Sequence, residues 1–283
     1  MQCPEQRNML AELHPHWVEA QGWVASIYIK YYQLAIRQSP TTNLPEMISA
    51  KYFHTYDVVR WMKEIARQLI EAKIIESESL LSLLITALIH DIARPLQAIK
   101  TGIYKDQANF NHGEIGANMI ETSSLRDKGI PEFAQIIAAV RQHGEIKAKD
   151  NHFLTLALRD ADKMASFAEI EIASLKSYPS STIGFSKDVL SCFLAGTRIS
   201  TNQIKTRADR IVFLFSWYFD LNFDVTRQLF FQEKIDQRGL KILEKALFSK
   251  KTDESTDSES KHLKIFQQIK DVVTAWRTEL GIE

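Results

Sequence analysis

Apolar residues recur along this chain at three- and four-residue intervals almost from end to end. Stretches that alternate apolar and polar residues are few, and Gly and Pro are sparse. The pattern predicts an all-α fold. Residues 17–38 read as a helix rich in aromatics, with Trp17, Trp23, Tyr28, Tyr31 and Tyr32. Pro45 suits the first turn of the next helix. There His54, Val58, Met62, Ile65 and Leu69 share one face, which turns His54 toward the core. Residues 78–90 read as a buried helix, strongly apolar from Leu80 to Ile89, that ends in the pair His90-Asp91. The stretch 95–111 is polar and irregular and is expected to be a loop over a site. Asn111 can cap a helix from His112 to about Glu121. Pro131 opens a helix that carries Ile136, Ile137, Val140 and His143 and stops at Gly144. Asn151 caps a long helix with Leu154, Leu158, Asp162 and Ala165 on one face.

Beyond this the pattern weakens over 177–202, a loop-rich interruption with Tyr178-Pro179-Ser180-Ser181 and Gly184, and resumes as helices over roughly 204–221, 224–235 and 237–248. Residues 249–262 are polar, charged and of low complexity, with almost nothing to bury, and read as a flexible linker. A final amphipathic helix, 263–283, carries Ile265, Ile269, Val272 and Trp276 on one face, for docking on the body or on a partner. The expected organisation is an N-terminal helical extension (1–47), a main helical domain (48–248), the linker and the C-terminal helix.

Composition narrows the function class. Lys and Arg balance Asp and Glu at 35 each, which argues against bulk electrostatic binding of nucleic acid or of a membrane surface. The longest apolar runs, Leu80–Ile89 and Ile211–Phe219, are too short to span a bilayer. The polar N-terminus lacks the apolar stretch of a signal peptide. Cys3 and Cys192 make no disulfide framework and read as free thiols. A cytoplasmic protein is expected.

The candidate chemistry lies in the polar residues that interrupt apolar patterns. Neighbours on a helix point about 100° apart, but at a helix end His90 and Asp91 can turn toward one point, as a metal ion would require. His54, His112, His143 and Asp162 lie at intervals suited to neighbouring helices. Imidazole and carboxylate suit a divalent ion, and a lone polar side chain in an apolar helical pattern is costly unless satisfied. Six donors exceed what one ion takes if positions are to stay open for substrate. They imply either two metals, or one metal and two substrate-binding imidazoles. Any one of these histidines alone is more often a satisfied core or surface residue; the joint pattern carries the reading.

That pattern resembles the HD-domain superfamily of metal-dependent phosphohydrolases. The matching residues are His54 in Phe53-His-Thr-Tyr-Asp-Val-Val59, His90-Asp91 in Ala87-Leu-Ile-His-Asp-Ile-Ala-Arg94, and Asp162 in Leu158-Arg-Asp-Ala-Asp-Lys-Met164. It is most similar to a bacterial branch with His-Asp-Ile-Gly-Arg followed by Gln, then His-x-Glu-x-Gly, a lone His, and Arg-Asp-Ala-Asp-Lys. These correspond to His90–Arg94 with Gln97, His112-Gly-Glu114-Ile-Gly116, His143 and Arg159–Lys163. Phe215–Asn222 also resembles that branch, so the resemblance spans roughly 48–245. Ala93, Pro95 and Met164-Ala-Ser166 depart from the pattern and bear on substrate preference rather than on the ligands.

The resemblance implies an HD-type helical bundle in which His54, His90, Asp91 and Asp162 hold a divalent ion (Mn, Mg, Fe, Co, Ni or Zn), with Asp160 as the alternative ligand and His112 and His143 serving a second ion or the substrate. It implies hydrolysis of a phosphoester of a nucleotide or small phosphorylated metabolite. Arg94 is the expected phosphate contact, with Arg159 and Lys163 as weaker candidates. Glu114 is expected either to act as a base or to orient His112. Two rivals stand beside this: a di-iron oxygenase on the same fold and a non-catalytic signalling module. Homo-oligomerisation is left open.

Overall fold

The computed structural model describes residues 14–38, 42–107, 109–145, 147–168, 184–248 and 256–282. The described residues are helical, joined by turns, and fall into two compact units, Met1–Ala165 and Ser166–Glu283. Cys3, the tetrapeptide 178–181 and linker residues 249–255 lie outside the described residues.

The first unit holds α1 (Pro15–Gln38), α2 (Leu44–Glu71), α3 (Leu80–Ile89), α4 (Arg94–Thr101), α5 (His112–Glu121), α6 (Phe133–Gln142) and most of α7 (Phe153–Ala168). α3 is its centre. A helix that is apolar all round must be buried all round, and every residue of α3 except Leu81 is. α1, α2 and α6 pack on it. Its two hydroxyls are satisfied within the core: Ser82 donates to the Pro131 carbonyl at 3.2 Å and Thr86 to the Ser82 carbonyl at 2.6 Å. Ser77–Thr101 is long and apolar enough to cross a membrane by length and composition, yet 78% of its most apolar window is buried inside the fold.

The stretch 95–111 is not all loop. α4 occupies its first half, with Pro95 in the first turn, Gln97 and Ala98 buried, and Gly102 closing the helix in the left-handed conformation at φ 70°. One buried edge among polar residues is too short a signal to register as periodicity. The Asn111 cap forms as expected, its side chain accepting from the Glu114 backbone at 3.0 Å.

The second unit contains α8 (Lys187–Leu194), α9 (Arg207–Ser216), α10 (Asp224–Gln232), α11 (Ile235–Phe248) and α12 (Thr256–Glu279). α8 lies within the stretch expected to be loop, and α12 begins at Thr256, inside the segment expected to be linker. α12 docks on α8 and α11. Trp276 is its anchor, stacked on Tyr218 with ring centroids 4.2 Å apart and packed against Phe193 and Phe219. α9 starts with a capping box in which the Thr206 side chain accepts from the Asp209 backbone. The buried Asp209 carboxylate is satisfied in return by Ser186, Lys205 and Thr206.

Candidate metal centre

Four helix ends and two helix faces of the first unit converge on one buried cluster. His90 and His143 stand at the C-termini of α3 and α6, and the two are built alike. Each ring directs Nδ1 at the carbonyl three residues back, His90 at Ala87 and His143 at Val140, both at 2.7 Å. A carbonyl accepts only, so Nδ1 carries a proton and Nε2 is the nitrogen turned into the site. His112 reaches the same state by another route. Its Nδ1 lies 2.6 Å from Asp106 Oδ2, and a carboxylate likewise accepts.

These Nε2 nitrogens face one another and a carboxylate, and His112 Nε2 also lies 3.2 Å from the Arg94 guanidinium. His112 Nε2 is 3.0 Å from His143 Nε2, and both are 3.6 Å from Asp91 Oδ1. His90 Nε2 is 3.4 Å from Asp91 Oδ2, is buried, and has no hydrogen-bond partner among the described residues. On the other side His54 Nε2 lies 3.1 Å and His90 Nε2 3.9 Å from Asp162 Oδ1. Donor atoms packed this closely cannot all satisfy one another, as the unpartnered His90 Nε2 shows, and burial removes the water that would serve them instead. A cation resolves the conflict. Bonds of about 2.0–2.2 Å to one ion leave neighbouring donors about 3.0–3.5 Å apart, which is close to the spacing of these atoms. The donor set therefore fits a divalent metal. It forms two groups within 4.8 Å, His54-His90-Asp162 and His90-Asp91-His143, which share His90; Asp91 turns Oδ2 to His90 and Oδ1 to His112 and His143.

Two cations already compensate Asp91: Lys51 Nζ at 3.0 Å from Oδ2 and Arg94 Nε at 3.2 Å from Oδ1. Burial opposes the charge, but Lys51, His90 and Arg94 hold the carboxyl well below its ordinary range. Asp162 is also held low; burial opposes this, and His54 and His90 overcome it. Burial pushes the His112 imidazolium down to about 4, against the pull of Asp106, so the ring is neutral at pH 7.

Two glycines allow the approach of α5 and α6. A Cβ at Gly113 would lie 2.7 Å from the Arg141 carbonyl, and one at Gly144 would lie 2.8 Å from the His112 ring. Gly144 thus makes room for His112 as well as ending the helix.

Other residues singled out in the sequence sit elsewhere. Glu114 is half-exposed and pairs with Arg141 at 3.1 Å; Asp106, not Glu114, orients His112. The reason is helical geometry, since two residues along α5 turn the side chain to the opposite face. Arg159 is buried and donates to the carbonyls of Gln142, His143 and Glu145, which ties the end of α6 to α7. Lys163 is buried, with its ammonium on the Arg159 carbonyl at 3.2 Å. Asp160 is buried and belongs to neither donor group. Arg94 is central: besides Asp91 it reaches Gln97, the Tyr104 carbonyl, Asp106 and His112.

Sequence reasoning missed Lys51 and Asp106. Lys51 had a legible signal, one turn before His54 on the same face. Asp106 had none, because its position depends on how the loop after α4 folds.

The family model for the HD domain matches residues 52–166. This segment is an HD domain. The match ends close to the end of the first compact unit, and it places the segment in the superfamily of HD metal-dependent phosphohydrolases. No curated protein and no solved structure matches the chain.

Proposed function

We propose that this HD domain is a metal-dependent phosphohydrolase acting on a phosphoester of a nucleotide or small phosphorylated metabolite. The observation that carries the reading is the convergence of the Nε2 atoms of His90, His112 and His143 on Asp91, with His90 Nε2 buried and without a hydrogen-bond partner among the described residues. His54, His90, Asp91 and Asp162 would hold one divalent ion; His112, His143 and the other oxygen of Asp91 would hold a second. When bound, such ions lower the pKa of a coordinated water and polarise a phosphoryl oxygen.

The chain's own residues supply the rest. The backbone carbonyls of Ala87 and Val140 and the carboxylate of Asp106 fix which imidazole nitrogen faces the site. Lys51 and Arg94 place positive charge on either side of Asp91, where an incoming phosphate dianion is attracted and its oxygens matched by the guanidinium. Glu114 has no part in this reading, since it faces Arg141.

The test is elemental analysis of the full chain purified without chelator, with a phosphate-release screen over nucleotides and phosphorylated metabolites. We expect divalent metal and release of phosphate from a subset of substrates. A protein that takes up no manganese, iron or cobalt, or that releases no phosphate when loaded, overturns the proposal. A pair of irons would use the same six donors, so oxygen uptake is measured alongside; oxygen consumption without phosphate release would assign the oxygenase chemistry instead.

A further inference from the structure

Beside the donor cluster lies a buried polar atom that neither the fold nor the metal site uses. The hydroxyl of Tyr104 is shielded from solvent and finds no hydrogen-bond partner among the described residues. Buried hydroxyls left unpaired are rare and costly. Tyr104 is held in place at both ends. Its carbonyl accepts from Arg94 Nη1 at 3.2 Å, and Arg94 in turn holds Asp91. Its ring lies 6.0 Å from the ammonium of Lys51, which sits on the other oxygen of Asp91. Asp91, the carboxylate whose charge acts on the phenol, is engaged with Lys51 and Arg94.

We propose that the Tyr104 hydroxyl donates a hydrogen bond to a phosphoryl oxygen of the substrate. This rests on the phosphohydrolase reading and adds a substrate-binding residue to it. An arriving phosphate brings acceptor oxygens into a region where Lys51, Arg94 and the phenol are donors. Burial, and then the charge of Asp91, push the phenol pKa above its ordinary value, so the group stays a neutral donor. The loop that carries Tyr104 also carries Asp106, which fixes His112. Substrate contact and imidazole orientation are thereby built into one short segment tethered by Arg94 and Gln97.

The test compares the full chain with Tyr104→Phe, which keeps the ring and removes only the hydroxyl. Both are loaded with manganese and titrated with inorganic phosphate by calorimetry, and manganese affinity and melting temperature are measured in parallel. We expect unchanged manganese affinity, an equal or higher melting temperature once the unpaired hydroxyl is gone, and about a tenfold loss of phosphate affinity, the size of one hydrogen bond to a charged acceptor. kcat/KM on any phosphoester the parent hydrolyses should fall by a similar factor. Equal phosphate affinity in the two proteins overturns the inference while leaving the phosphohydrolase reading intact. Loss of manganese in the variant also overturns it, by assigning the hydroxyl to the metal site. A manganese-loaded parent that binds no phosphate and releases none overturns both.

Discussion

The first unit buries His54, His90, Asp91, His112 and His143 in a single cluster, with Arg159 and Lys163 behind it. The second unit buries rings: Phe193, Phe215, Phe230 and Phe231, with Tyr218 stacked on Trp276. Both have apolar helices to pack and both bury carboxylates, Asp209 and Asp236 in the second unit, but among the described residues the first gathers several imidazoles and a carboxylate into one cluster. Aromatic pairs contribute about 0.5–1.5 kcal/mol each beyond the area they bury. A buried, incompletely satisfied polar network is worse for stability than an apolar core. The second unit's aromatic packing serves stability, and the first retains a clustered polar arrangement that fits a cation.

Breaking the first unit's network should have the largest effect. Asp91→Ala removes the carboxylate on which His90, His112 and His143 converge. Bound metal should fall to near zero and phosphate release to background, while far-ultraviolet circular dichroism stays helical. Retention of full metal content would mean that Asp91 bridges nothing. Trp276→Ala should do the reverse. Emptying a buried indole costs about 3–5 kcal/mol, which is measured as a lower denaturant midpoint, with metal content per folded chain unchanged. If the variant also sheds its metal, the contrast between a functional and a structural core fails.

Asp106→Asn sharpens the comparison within the first unit. The amide cannot hold the His112 proton as a carboxylate does, so affinity for the ion near His112 and His143 should drop about 10–100-fold. The ion near His54 and Asp162 should bind as before, which gives a two-phase manganese titration. Identical affinities in variant and parent would show that Asp106 does not set the His112 tautomer.

The smallest effect concerns pH. Burial, partly offset by Arg227, pushes the Tyr218 phenol from its ordinary 10.0 up to about 12. A group whose folded pKa is raised stabilises fully below its unfolded value and loses that contribution as pH climbs through the folded value. The denaturant midpoint should therefore decline between about pH 10 and 12, and Tyr218→Phe should flatten the decline. An unchanged slope in the variant would assign the loss to other groups.

Much of this molecule was legible in the amino-acid order because it is encoded locally. The apolar run Leu80–Ile89 dictates a buried helix, Asn111 a cap, and the face shared by His54 and Val58 an inward imidazole. Such features depend on neighbours three or four residues away. α4 and α8 escaped because short helices with one buried edge leave too few apolar positions to show a period. The site was legible as a set of donors but not as an arrangement. Lys51 meets Asp91 across 40 residues, and His54 meets Asp162 across 108. Whether Glu114 or Asp106 would orient His112, and whether Arg159 would meet a phosphate or a row of carbonyls, was decided by helix packing and by the fold of one loop. Sequence by itself determined which chemistry was available and which helices carried it. Tertiary structure alone decided which atoms meet, because a contact between distant residues depends on the summed packing of every element between them.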